Sequence, residues 1–89
     1  MIGRRVYNNE RHLWENGDYG HCEDGWFACS PNGHMANLGA HNVVEHGDGT
    51  ITVTSSIVIG SSRMNKTTQK MERYEVYHGF LERGVWRLA

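Results

Sequence analysis

TITVTSSIVIG, residues 50–60, places Ile51, Val53, Ile57 and Ile59 on one parity and Thr50, Thr52, Thr54 and Ser56 on the other. A two-residue period rich in β-branched side chains marks a strand with one buried face. The stretch before it, HNVVEHGDGT (41–50), carries His46-Gly47-Asp48-Gly49, the residue types that a tight reversal needs. Residues 42 to 60 therefore read as a β-hairpin whose second arm is one long strand.

The C-terminal stretch YEVYHGFLERGVWRLA repeats the form. Tyr74, Val76, His78 and Phe80 share a parity, Glu82 to Gly84 make a turn, and Val85, Trp86 and Leu88 return. Phe80 and Trp86 are expected as core anchors, because large rings are the main apolar resource of a small domain. Between the hairpins, SSRMNKTTQKMER (61–73) has no apolar period apart from Met64 and Met71 and reads as a polar loop.

The N-terminal part, residues 1–25, is less sharply patterned. Val6-Tyr7 and His12-Leu13-Trp14 read as short strands around an Asn16-Gly17 turn. Gly25 to Cys29 reads as a strand with Trp26 or Phe27 inward, and Met35 to Val44 has room for one short turn of helix. The sum is a single mostly-β domain over residues 1–89, built from antiparallel hairpins as a small sandwich or partly open barrel.

Length and charge narrow the function. A chain of 89 residues holds one core, and its small size gives value to a metal or a partner. The formal charge of -1 argues against the broad basic field of a nucleic-acid binder, so no nucleic acid is expected. The charge is uneven: residues 1–60 hold three Arg against seven acids, and residues 61–89 hold six Lys and Arg against three. No apolar run is long enough for a bilayer, and Met1 to Tyr7 lacks the apolar centre of a signal peptide, so a soluble chain without a membrane partner is expected.

HCEDGWFACSPNGH (21–34) concentrates two His and both Cys of the chain. Zinc takes four ligands, commonly as two local pairs. Cys29 and His34 form one candidate pair across a Ser-Pro-Asn-Gly turn, with Cys22 or His21 as a third ligand and His78 as a fourth. No C-x-x-C knuckle is present, and the alternative is that Cys29 is a small buried apolar residue and His34 serves the turn. Cys29 with His34 or His78 also has the types of a nucleophile and base, but no family signature surrounds it, and no enzyme is expected.

Four Tyr, three Trp and seven Arg are residue types enriched in interface hot spots. Tyr7, Trp14, Tyr19, Arg63, Arg73, Tyr74 and Tyr77 are the candidate partner-binding residues, with core packing as the alternative for the rings. A long strand such as 50–60 also offers an edge that another chain can join, including a second copy.

WFACSPNGHMANLGAHNVVEHGDGTITVTSSIVI (26–59) and YHGFLERGVWRL (77–88) resemble a group of small uncharacterised proteins of tailed bacteriophages, notably those infecting actinobacteria. The same residues are distantly similar to a family of unknown function with a Cys-bearing turn, a DGT hairpin and a C-terminal His-aromatic hairpin. Where that family can begin its last hairpin with Cys-His, this chain has Tyr77-His78, and His34 stands near the position of a second cysteine. The resemblance implies a phage accessory protein in the host cytoplasm that grips a host or phage protein. A capsid-decorating or tail-associated virion component is the second expectation, and a zinc-stabilised binding module the third.

Overall fold

A computed structural model describes all residues, Met1 to Ala89. Nine strands follow in order: β1 Arg4–Arg5, β2 Asp18–Cys22, β3 Gly25–Cys29, β4 Met35–Asn37, β5 Val43–Glu45, β6 Ile51–Val53, β7 Ile57–Asn65, β8 Lys70–Glu82 and β9 Val85–Leu88. They form three sheets, β1-β2-β3-β4, β5-β6 and β7-β8-β9, which do not close into a barrel. The mostly-β, hairpin-built class expected from the sequence is the one found. Only the two-residue β1–β2 pair is parallel.

Turn chemistry explains most of the reversals. Arg83 (φ 46°) and Gly84 (φ 76°) are the two central residues between paired Glu82 and Val85. Two consecutive positive φ angles match the twist of the flanking strands, which is why Gly is suited to the second position. In the β3–β4 turn the Ser30 hydroxyl accepts from the His34 N–H, and the Ser30 N–H donates to the His34 carbonyl. In the β5–β6 turn the Asp48 carboxylate accepts from the N–H and the hydroxyl of Thr50.

The core gathers one residue or a few from nearly every strand: Tyr19, Ala28, Ala36, Leu38, Ile51, Val53, Ile57, Tyr77, Leu81 and Trp86. The inward parity of Ile51, Val53 and Ile57 is thus as the sequence indicates. The strand itself is not continuous, because Ser55 takes φ 70° and the chain leaves the β5–β6 sheet to start β7. Trp86 ties distant parts together: its indole N–H donates to the Gly17 carbonyl at 3.0 Å, and its ring meets Tyr77 edge to face.

Four local expectations are corrected. In the N-terminal part the first strand is Arg4–Arg5 and not Val6-Tyr7, and His12 and Leu13 lie in a 3-10 turn, Arg11–Leu13, capped by Trp14, and not in a strand. Met35 to Val44 forms β4 and the start of β5 instead of helix. Residues 61–73 are not a loop; they complete β7, turn, and begin β8. On β8 the buried residues are Tyr77, Gly79 and Leu81, so Phe80 faces outward under the Arg87 guanidinium, 4.5 Å from its ring centre. A β-bulge explains this shift of parity. Ile59 pairs with Tyr77 but Gly60 pairs with Glu75, leaving Val76 as the extra residue, so alternation counted from Tyr74 does not carry through to Phe80.

The long β7–β8 hairpin makes the molecule elongated, 51 × 27 × 22 Å, with a radius of gyration of 14.2 Å. A compact chain of this length would have about 12 Å. The excess is the arm beyond the bulge, where Gly60–Asn65 pairs only with Lys70–Glu75.

Candidate partner-binding arm

The arm is held by ladder bonds and by its tip. The Asn65 side-chain carbonyl accepts from the N–H of Thr67 and of Thr68, and the Gln69 N–H donates to the Asn65 carbonyl. This closes the four-residue turn Lys66–Gln69, with Gln69 at φ 56°.

Register assigns the side chains to two faces, since directly paired residues share a face. On one face Arg63 pairs with Glu72, with Tyr74 diagonal to Arg63 and Asn65 diagonal to Glu72. The Arg63 guanidinium lies 5.5 Å from the Tyr74 ring centre, and the Asn65 amide donates to Glu72 at 2.6 Å. The other face carries Val58 beside His78, Gly60 beside Glu75, Ser62 beside Arg73 and Met64 beside Met71. Val58, Met64, Met71 and Tyr74 are 54%, 55%, 59% and 45% exposed. Where Gly60 lacks a side chain, a shallow hollow of about 380 Å³ opens between Val58, Arg73, Tyr74 and Glu75.

The candidate binding residues divide into three groups. Arg63, Arg73 and Tyr74 all lie on the arm, Arg63 and Tyr74 on one face and Arg73 on the other. Tyr7 and Trp14 lie on the body: Tyr7 sits under the Arg5 guanidinium at 4.8 Å, and the Trp14 indole donates to the Asn8 side chain. Tyr19 and Tyr77 are 1% and 5% exposed and belong to the core, so the binding role expected for them is corrected. Both phenols are raised above their ordinary pKa by burial. Met64 and Met71 on the arm, and Val58 at its root, are the residues that sequence reasoning passed over; Met64 and Met71 stand in the sequence as isolated apolar residues, and only the hairpin register makes them a pair.

The candidate metal ligands are not assembled into one set. Cys22 and Cys29 occupy opposite ends of the β2–β3 ladder, since Cys22 pairs with Gly25 and Ala28 with Tyr19. Cys22 is buried with its thiol directed at the Asn8 carbonyl, and Cys29 is buried with its thiol pushed up by desolvation. His34 is exposed in its turn, and His78 lies on β8 with its ring 3.8 Å from the Glu75 carboxylate. No three of the His, Cys, Asp and Glu side chains form a group suited to hold a metal ion. Trp26, Phe27 and Cys29 lie on β3 leading into the Pro-Asn-Gly turn, with Phe27 and Cys29 buried and Trp26 half-buried.

No protein-family model, curated protein or solved structure matches the chain.

Proposed function

We propose that this chain is a non-enzymatic protein-binding module, working in the phage-accessory setting that its sequence resemblance implies, and that the β7–β8 arm is its contact surface. The observation carrying this reading is a two-stranded arm that leaves the core while exposing Met64 and Met71 with Arg73 on one face and Tyr74 with Arg63 on the other, with exposed Val58 at its root. A two-stranded ribbon is marginal alone, so an arm of this kind gains from a second surface. Methionine adapts its shape to a partner, and Tyr and Arg concentrate binding energy at interfaces.

The test places a photo-crosslinking residue at Arg73, on the face of Met64 and Met71, and, as a control, at Glu23 on the β2–β3 turn. In a host lysate, the Arg73 probe should capture a stoichiometric protein that the Glu23 probe does not. M64E and M71E should abolish the capture. Equal labelling from both positions, or capture indifferent to M64E and M71E, removes the arm from this role. The virion-component reading draws on the open edge of β7, and mass spectrometry of purified particles separates it from a regulator active inside the host.

A further inference from the structure

Sheet β7-β8-β9 has two edges, and the chain covers only one. Along β9, Met1 and Trp86 exchange backbone hydrogen bonds and the Gly3 N–H donates to the Gly84 carbonyl. Along β7, no ladder other than that with β8 is formed, and no backbone hydrogen bond outside that ladder involves Ile57 to Met64. Edge strands are ordinarily guarded by charges, proline or a bulge. β7 carries one charge, Arg63, in nine residues and no proline, and the bulge beside it belongs to β8. The outer edge of β8 in the arm is guarded, with Lys70, Glu72, Arg73 and Glu75 among its residues.

We infer that β7 pairs with β7 of a second copy of this chain, antiparallel, about a two-fold axis through Ser61. A two-fold interface presents one patch to itself, so the strand must complement its own reversal. About Ser61, Val58 lies opposite Met64 of the second copy, Gly60 opposite Ser62, and Ile59 opposite Arg63. The two Val58–Met64 contacts flank small residues, and Met71, beside Met64 in its own copy, extends each apolar cluster. These are the three exposed apolar side chains of that face. The two Arg63 side chains stand about 13 Å apart along the strands, from the rise per residue, and do not oppose each other. An axis through Arg63 sets the guanidiniums face to face, and axes through Gly60 or Ser62 separate Val58 from Met64. The resulting sheet, β8-β7 joined to β7-β8, also gives each arm more than two strands.

The inference shares Val58, Met64 and Met71 with the protein-binding reading but is tested apart from it, because S61K and S61E change the β7 edge and leave those side chains unaltered. Light scattering on the full chain over a dilution series should find twice the chain mass, dissociating on dilution. S61K and S61E each bring like charges together at the axis, so each should self-associate at least about tenfold more weakly. An equimolar mixture of the two should recover a one-to-one dimer. Wild-type chain remaining at single mass at millimolar concentration overturns the inference, as does a dimer equally strong in both variants. If the occupant is instead an extended peptide of another protein, the wild type stays at single mass until that protein is added. Should either variant misfold, amide exchange of wild type decides: amides of β7 must slow on concentration, and unchanged exchange there overturns the pairing.

Discussion

At the scale of single residues, Tyr77 and Gly79 act together. They share the inward face of β8, and a side chain at Gly79 would collide with the Tyr77 hydroxyl and come within 2.6 Å of the Arg87 carbonyl. Gly79→Ala should therefore displace the ring and cost about 1–3 kcal/mol, the usual range for overpacking, read as a fall in denaturation midpoint. The Tyr77 hydroxyl is buried with no hydrogen-bond partner. Removing a group that is desolvated without compensation should raise stability, so Tyr77→Phe is expected to gain about 1 kcal/mol. Burial raises the Tyr77 pKa, so the unfolded chain ionises first. The corresponding stability is intact below the unfolded value of about 10 and is lost as pH rises through the folded value. An alkaline stability profile should show this loss in wild type and less of it in Tyr77→Phe. Asp48 works in the opposite direction: hydrogen bonds from Thr50 hold its pKa down, so its contribution is present above the ordinary carboxylate pKa and fades as acid brings pH through the lowered value. Asp48→Asn should flatten the acid limb of the same profile.

At the scale of elements, burial decides what the sequence could announce. Ile51, Val53 and Ile57 alternate visibly because one face of each strand meets the core. Lys66–Gln69 and the strands flanking it expose both faces, so no apolar period is written into residues 61–73, and a hairpin there looks like a loop. Ser55 breaks a strand without the glycine that normally marks a positive φ, and Val76 forms a bulge with no distinguishing residue type. The arm residues Arg63, Arg73 and Tyr74 were legible from residue type, whereas Met64 and Met71 needed a register to become neighbours. Tyr19 and Tyr77 show the limit of residue type: a phenol suits an interface and a core equally well. The tip makes a direct test of the arm as an element. Asn65→Ala removes the acceptor for the Thr67 and Thr68 N–H groups and should speed amide exchange throughout residues 60–75, leaving β2 and β3 unchanged.

At the scale of the whole molecule, contacts between distant parts of the chain hold three sheets as one body. Gly84 N–H donates to the Ile51 carbonyl, Arg83 N–H to the Thr52 hydroxyl, and the Trp86 indole to Gly17, so the β8–β9 turn joins both other sheets. The Asp18 carboxylate, 2% exposed, accepts from Arg4 at 3.1 and 2.8 Å and from the Glu15 N–H. Trp86→Ala should cost about 3–5 kcal/mol and lower protection in all three sheets together. Asp18→Ala should cost about 1–3 kcal/mol, since the Glu15 N–H loses its acceptor. Because thin cores leave a small margin, either change is expected to broaden or abolish the thermal transition.

The Val76 bulge has a mechanical consequence. It sits where the ribbon leaves the body, and from there to Asn65 the strand runs about 20 Å at the usual rise per residue. A change of about 10° in the bend at that point would swing the tip by about 3–4 Å. One unpaired residue is thus placed as the pivot of a lever, where a small backbone adjustment beside Tyr77 would become a displacement about the width of a side chain at Met64 and Met71.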